Sequence, residues 1–171
     1  MIVLMDGLPG TGKSALARAL ASRLSGTLLG KDEIRHVLFS PKDIEYSTAQ
    51  DDFVMGVMLG AAGWILRKDP SQVILLDGRT FSRRYQIDQV RDAAAKLNQP
   101  WRVLECVCSE ETARARIESQ ALAGEHPAGN RGFGLYLDIR ARFEPIPQPK
   151  TVIDTECALE ECVHQALKAI C

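Results

Sequence analysis

Residues 7–14 read GLPGTGKS and match the complete pattern G-x-x-x-x-G-K-[S/T] of a phosphate-binding loop. Its three glycines permit the backbone conformations that turn successive N–H groups toward a phosphate. Lys13 supplies a positive charge for the β- and γ-phosphates, and the hydroxyl of Ser14 suits Mg²⁺. The stretch therefore predicts a site for a nucleoside triphosphate and its Mg²⁺ ion.

The segments on either side of the loop have the composition that such a loop requires. Residues 1–6, MIVLMD, form a short apolar run suited to a buried strand. Residues 15–24, ALARALASRL, place leucines on one helical face, and a helix that starts beside the loop offers its positive end to an anion. The predicted nucleotide-binding residues are Gly7, Leu8, Pro9, Gly10, Thr11, Gly12, Lys13, Ser14 and Ala15.

Length and charge limit the remaining possibilities. A chain of 171 residues suits one domain, so we expect residues 1–171 to form a single unit. A formal net charge of −1, with acids and bases mixed throughout, gives no general attraction to nucleic acid or to a membrane surface. The apolar stretches are too short for a membrane span and no signal peptide precedes the loop, so we expect a cytoplasmic protein.

Short apolar runs alternate with segments of helical period, which predicts an α/β fold with parallel strands joined by crossover helices. One predicted helix buries Ile87, Val90, Ala94 and Leu97. Another buries a long apolar face made of Phe53, Val57, Ala61 and Ile65 and widened by Val54, Met58 and Trp64. The predicted strands are residues 2–5, 27–29, 73–76, 102–107 and 151–153.

Two stretches carry candidate chemistry outside the phosphate loop. Residues 73–77, VILLD, form an apolar run that ends in Asp77, which would bind Mg²⁺ together with Ser14; an ordinary turn residue is the alternative. In residues 28–39, LLGKDEIRHVLF, Arg35 follows Asp32 by three positions on the same side of a helix start. Asp32 would accept the proton of a substrate hydroxyl and Arg35 would hold the substrate, although Asp32 also suits a structural N-cap.

Together, these motifs resemble those of the small P-loop kinases related to polynucleotide 5′-kinase, chloramphenicol phosphotransferase, gluconate kinase and adenylylsulfate kinase. The matching segments are the phosphate loop, the Asp-x-x-Arg of residues 32–35, and LLDGRTFSRR of residues 75–84. The resemblance implies a three-layer P-loop NTPase fold, with helices on both faces of a five-stranded parallel sheet in the order 2-3-1-4-5. It also implies that Asp32 is the general base and that Arg35 contacts the acceptor.

The resemblance further implies a lid, expected at about residues 122–143, with an arginine that neutralises the transferring phosphoryl group. Arg131 is the first candidate, and Arg140 and Arg142 are the alternatives. Arg114 and Arg116 resemble family arginines that lie near the phosphates or the adenine, although an exposed arginine-rich helix face is equally compatible with the sequence.

The predicted parts suffice for phosphoryl transfer, which needs charge neutralisation and positioning more than covalent chemistry. We therefore expect an ATP-dependent kinase that phosphorylates a hydroxyl of a small-molecule or nucleotide-like acceptor. A polynucleotide end is less favoured, because the sequence has no aromatic series or basic stripe. Arg79, Arg83 and Arg84 would form a pocket for an anionic acceptor or simply a solvated helix start. The alternative function is a P-loop module that binds or hydrolyses nucleotide without a hydroxyl acceptor.

Overall fold

A computed structural model describes residues 1–123, 132–147 and 149–170 of the chain. Its five strands are all parallel and lie in the order β2-β3-β1-β4-β5, which confirms the expected topology. The phosphate loop follows the central strand β1, so it lies at the carboxyl edge of the sheet. The strands are β1 (Ile2–Asp6), β2 (Thr27–Gly30), β3 (Ile74–Asp77), β4 (Trp101–Val107) and β5 (Thr151–Asp154).

Helices cover both faces of the sheet, and a short 3-10 helix, Pro41–Asp43, precedes the longest of them. The side chains of β1 alternate between the two faces, as a pleated strand requires. Ile2 and Leu4 pack with α3 and α4, whereas Val3 and Met5 pack with α1 and α7. The helices are α1 (Lys13–Leu24), α2 (Lys31–Leu38), α3 (Thr48–Lys68), α4 (Arg84–Lys96), α5 (Glu110–Ala123), α6 (Phe133–Ala141) and α7 (Leu159–Ile170).

The predicted faces of two helices have different outcomes. The face of α4 is confirmed, because Ile87, Val90 and Ala94 are buried. The face predicted for α3 is confirmed at Val54 and Met58, which are buried, but is wrong at Phe53 and Val57, which are 58% and 37% exposed. Helix α3 is apolar on several sides, so its periodicity does not determine which side meets the sheet. The buried residues of α3 are Gln50, Val54, Met55, Met58, Ala62, Gly63 and Leu66.

The predicted lid segment contains α6, which packs against α5. Ala113 and Ile117 of α5 form a small apolar cluster with Tyr136 of α6. Leu8 of the phosphate loop packs against the same cluster, which therefore joins the loop to both helices. Within the described part of the chain, no helix is both long enough and apolar enough to cross a membrane.

Candidate active site

The phosphate loop requires glycine at three positions for conformational reasons. Gly7, Gly10 and Gly12 have φ angles of 129°, 77° and 80°, a region that side chains disfavour. Space is also restricted, because a Cβ on Gly7 would lie 2.2 Å from the carbonyl oxygen of Cys106. A Cβ on Gly10 would lie 2.7 Å from the carbonyl oxygen of Ala113. The motif thus has a compact backbone that side chains at these glycines would disrupt.

Lys13 lies folded over this loop. The side chain is buried, and Nζ donates hydrogen bonds of 2.7 Å to the carbonyl oxygens of Gly7 and Leu8. Thr11 Oγ1 donates a further hydrogen bond of 2.7 Å to the oxygen of Leu8. Ser14 follows Lys13 in the first turn of α1. The structure therefore holds the ammonium group of Lys13 at the loop and places Ser14 at the start of the adjoining helix.

Arg116 lies beside the phosphate loop and not on an exposed helix face. Its Nη1 and Nη2 donate hydrogen bonds of 3.0 and 2.7 Å to the hydroxyl and carbonyl oxygens of Thr155. Thr155 Oγ1 in turn donates to the carbonyl oxygen of Thr11, at 2.9 Å. Arg116 thus ties α5 to the loop after β5 and, through it, to the phosphate loop. Arg114 is exposed and lies over the ring of Phe133, with Cζ 3.9 Å from the ring centroid.

We expect Arg116→Ala to weaken ATP binding by about tenfold to a hundredfold, the usual effect of losing hydrogen bonds made by a charged group. The reason is that the variant loses both bonds to Thr155, which supports the backbone of Thr11. Calorimetric titration with AMPPNP measures the change. Arg114→Ala is the matched control on the same helix, and an equal loss of affinity in both variants would contradict this role for Arg116.

Asp77 and Asp6 end neighbouring strands with buried carboxylates. Asp77 Oδ1 and Asp6 Oδ2 are both buried without a hydrogen-bond partner among the described residues. Such oxygen atoms suit Mg²⁺, which commonly binds one or two carboxylates together with substrate phosphates and water. No group of three or more His, Cys, Asp or Glu side chains within the described ranges could hold a metal by itself. The donors Ser14 and Asp77 fit Mg²⁺ bound with a triphosphate.

Asp6 was not among the predicted site residues. Its Oδ1 accepts hydrogen bonds from the backbone N–H groups of Gly7, at 2.5 Å, and Phe81, at 3.2 Å. Burial raises the pKa of Asp6 from 3.8 to about 6, although these two hydrogen bonds and the charge of Lys13 oppose the rise. The sequence carried a signal for Asp6, because it ends an apolar strand just as Asp77 does.

A raised pKa in the folded state means that Asp6 disfavours folding increasingly as the pH rises from about 4 to about 6. Once the carboxyl is ionised, its burial lowers the free energy of unfolding by about 3 kcal/mol. Asp6→Asn keeps an oxygen that can accept from Gly7 and Phe81 but carries no charge. We therefore expect the variant to gain free energy of unfolding relative to wild type between pH 4 and pH 7, as measured by urea unfolding. A difference that does not change with pH would contradict the burial of an ionisable Asp6.

The predicted pair Asp32 and Arg35 is in direct contact. Helix α2 begins at Lys31 and its N-cap is Gly30, so the alternative role of Asp32 as an N-cap is wrong. Instead, Oδ1 of Asp32 accepts a hydrogen bond of 2.9 Å from Arg35 Nη1. Arg35 is 1% exposed, and its guanidinium lies 5.0 Å from the centroid of the Tyr46 ring. The carboxylate of Asp32 therefore has a fixed orientation.

Asp51, at the start of α3, completes this cluster and was missed by the sequence analysis. Lys31 Nζ lies 2.7 Å from Asp51 Oδ1 and 3.8 Å from Asp32 Oδ1. Arg35 Nη2 also forms an ion pair with Asp51. Two carboxylates thus share two cations, all held between α2 and α3. Because Asp51 is 16 residues from Arg35, local spacing gave no signal for this contact.

A second ion pair forms after β3. Gly78 has a φ of 95°, and a Cβ there would lie 3.1 Å from both N and Cβ of Lys31. The next residue, Arg79, is 2% exposed and places Nη1 2.6 Å from Oδ1 of Asp52. Tyr85 OH donates a hydrogen bond of 3.1 Å to the other carboxylate oxygen of Asp52. This arrangement holds the β3–α4 loop against the start of α3.

These elements enclose a cavity of about 340 Å³. Pro9 of the phosphate loop lines it together with Asp32, Arg35 and Asp51. The β3–α4 loop contributes a further wall, and the C-terminal part of α6 lines the side formed by the predicted lid. The cavity therefore connects the phosphate loop with the predicted base, at a size in the lower part of the usual range for ligand pockets.

The lid candidates occupy different positions. Arg131 lies outside the described residues. Arg140 forms an ion pair with Glu110 of α5 and lies 5.5 Å from the centroid of the Tyr136 ring, whereas Arg142 lines the cavity. Among the arginines that follow Asp77, Arg79 and Arg83 line the cavity, whereas Arg84 is not among its described lining residues.

The fold and the phosphate loop define a P-loop protein of the architecture found in small kinases. A family model described as an AAA domain matches residues 2–146, and the chain belongs to that family. No curated protein has a significantly similar sequence.

Solved structures share the fold over nearly the full chain. A candidate kinase of Chloroflexus aurantiacus j-10-fl is 22% identical with a TM-score of 0.77, covering 98% of this chain and 97% of that one. The Mycobacterium tuberculosis APS kinase CysC, in complex with AMPPNP and APS, is 17% identical with a TM-score of 0.72, covering 99% and 96%. Chaetomium thermophilum Kti12, in complex with ADP-AlF3, is 18% identical with a TM-score of 0.71, covering 100% of both chains. At these identities the likeness establishes the fold.

Proposed function

We propose that the protein is an ATP-dependent kinase that transfers the γ-phosphoryl group to a hydroxyl of a small-molecule or nucleotide-like acceptor. The observation that carries the proposal is the cavity, which is lined by Pro9 of the phosphate loop and by the buried carboxylate of Asp32. A phosphoryl donor at the loop and an acceptor hydroxyl in the cavity would therefore be neighbours. The whole chain would act as one kinase domain, in the cytoplasm where ATP is available.

Asp32 is proposed as the general base. Because phosphoryl transfer depends mainly on positioning and electrostatics, a carboxylate held in one orientation is well suited to accept the proton of an attacking hydroxyl. Arg35 supplies that orientation through its hydrogen bond of 2.9 Å to Asp32. Asp51 pairs with both Arg35 and Lys31, so the two cations do not neutralise Asp32 alone.

The donor side depends on the phosphate loop. The loop of residues 7–14 would present backbone N–H groups to the phosphates, and Lys13 would move from its carbonyl partners to the β- and γ-phosphates. Arg116 would keep the adjoining backbone in place through Thr155. Ser14 and Asp77 would hold Mg²⁺, which neutralises charge on the phosphates during transfer.

The lid would close the site with an arginine. Arg131 remains the predicted residue for this role, while the ion pair between Arg140 and Glu110 directs Arg140 toward α5. The proposal of ATP as donor is supported by two proteins of the same fold that bind AMPPNP and ADP-AlF3 in their structures.

The proposal is tested by incubating the protein with Mg²⁺ and γ-labelled ATP against a panel of hydroxyl compounds. The panel contains nucleosides, sugars, adenylylsulfate, hydroxylated antibiotics and 5′-hydroxyl oligonucleotides. Labelled product that disappears in Asp32→Asn would support a kinase and identify the acceptor class. Slow phosphate release that is unchanged in Asp32→Asn would instead favour the alternative, a nucleotide-binding or hydrolysing module without a hydroxyl acceptor.

A further inference from the structure

The lining of the cavity beside the phosphate loop has more cations than carboxylates, whereas the chain as a whole is nearly neutral. The full chain has a formal net charge of −1. The described lining of the cavity, in contrast, contains five cationic side chains and two carboxylates. Asp52 and Glu144 pair with two of these cations from outside the lining, and the cations still outnumber the carboxylates. Positive charge concentrated in a cleft attracts anionic ligands and holds them locally. The cations are Lys31, Arg35, Arg79, Arg83 and Arg142, and the carboxylates are Asp32 and Asp51.

Arg79 has hydrogen-bonding capacity that its contacts do not use. A guanidinium has five N–H donors, and burying them without acceptors is unfavourable. Within the described residues, the carboxylate of Asp52 lies 2.6 Å from Nη1, but the two atoms do not form a directed hydrogen bond. Arg79 is 2% exposed, so water does not readily satisfy the N–H groups of Nη1. Oxygen atoms of an anionic ligand in the cavity would do so.

The predicted lid adds a further cation to the lining of the cavity. Arg142 is exposed, directly follows α6 and lines the cavity. Arg83 approaches from the β3–α4 loop and is 48% exposed, with Nη1 3.1 Å from Oε1 of Glu144. Three arginines from two separate segments therefore line the cavity that also contains Asp32.

The neutral part of the lining suits a small polyhydroxyl compound. It includes the hydroxyl residues Thr48, Thr80, Ser82 and Tyr85 and the amide of Gln86. Such groups can both donate and accept hydrogen bonds, as sugar and ribose hydroxyls require. A volume of about 340 Å³ limits the ligand to a metabolite-sized molecule.

We propose that the acceptor is a small alcohol bearing a phosphate, sulfate or carboxylate group, an inference that rests on the proposed kinase function. The anionic group pairs with Arg79, Arg83 and Arg142, and the reacting hydroxyl faces Asp32. The hydroxyl oxygen forms a bond to the γ-phosphorus of ATP while its proton passes to Asp32. The bond from that phosphorus to the bridging oxygen breaks, and ADP leaves with the electron pair.

Matched neutral and anionic probes test this assignment. The full chain is first saturated with AMPPNP and Mg²⁺, so that added anions do not occupy the phosphate loop. Calorimetry then compares glucose with gluconate and glucose 6-phosphate, and adenosine with AMP and adenylylsulfate. We expect at least one anionic probe to bind about tenfold to a hundredfold more tightly than its neutral counterpart, as expected for hydrogen bonds to a charged group.

Two variants identify the residues responsible. Arg83→Gln and Arg142→Gln are each expected to lower the affinity for the anionic probe by about tenfold or more, without changing the affinity for AMPPNP. Arg91→Gln is the matched control, because Arg91 is 49% exposed and paired with Asp88 and Asp92, much as Arg83 is paired with Glu144. The control is expected to bind every probe as the wild type does.

The outcomes separate this inference from the kinase function. Any of three results would overturn the inference. Neutral probes could bind as tightly as anionic ones, no anionic probe could bind, or the anionic probes could bind both variants as tightly as the wild type. Phosphoryl transfer from labelled ATP to neutral alcohols or oligonucleotides with equal kcat/KM would overturn it too, while leaving the kinase function in place. Tight binding of an anionic probe that depends on Arg83 and Arg142, without any phosphoryl transfer, would refute the kinase and retain the anion site.

Discussion

Lys13→Ala is expected to impair triphosphate binding and turnover together, with kcat lowered by about 10²- to 10³-fold, the usual effect of removing one positioned electrostatic contact. The ammonium is buried and donates to the oxygens of Gly7 and Leu8. It lies within the loop itself, so its removal takes away both the charge for the phosphates and two internal hydrogen bonds of the loop. No other lysine in the described chain makes these contacts.

The measurement combines AMPPNP titration with a turnover assay on the acceptor identified for the wild type. Lys96→Ala is a suitable control, because Lys96 is exposed at the end of α4, on the helix layer opposite α1. Circular dichroism checks that both variants are folded. Unchanged catalysis in Lys13→Ala would rule out the phosphate loop as the site of the reaction.

The phosphate loop and the sheet were predictable because their signals are local or shared with known proteins. Residues 7–14 form one continuous motif whose glycines all adopt positive φ angles. The strands are apolar runs between helical segments, and the resemblance to small P-loop kinases supplied their order. The α3 face was predicted too broadly, because the buried Val54 and Met58 are as apolar as the exposed Phe53 and Val57. Only packing against the sheet determines which pair is buried.

The parts of the site that were not predicted from the sequence depend on contacts between distant segments. Asp32 and Arg35 are three residues apart on one helix, so the spacing placed them on the same side, and the structure adds their direct hydrogen bond. Asp51 reaches the same cluster from α3, and Thr155 connects Arg116 with the phosphate loop across 144 positions of sequence. No periodicity encodes such contacts. They result from the parallel sheet, which brings the carboxyl ends of all its strands to one edge.

Asp32→Asn is expected to slow phosphoryl transfer by about 10²- to 10⁴-fold, the usual contribution of a general base, while ATP binding is retained. The asparagine oxygen can still accept the hydrogen bond from Arg35 Nη1, so the geometry around Arg35 is largely preserved. An amide, however, cannot take up the proton of the acceptor hydroxyl at neutral pH. The loss should therefore lie in kcat, with little change in the affinity for AMPPNP.

Asp51→Asn separates this role from a structural one. Both aspartates pair with Lys31 and Arg35, so each substitution removes one carboxylate from the same two cations. Breaking such a buried ion pair commonly costs about 3–5 kcal/mol of stability, and both variants should lose free energy of unfolding. If Asp32 only stabilises the cluster, single-turnover rates of the two folded variants will fall equally. If Asp32 is the base, Asp32→Asn will be slower by orders of magnitude, because Asp51 cannot replace a proton acceptor beside the reacting hydroxyl.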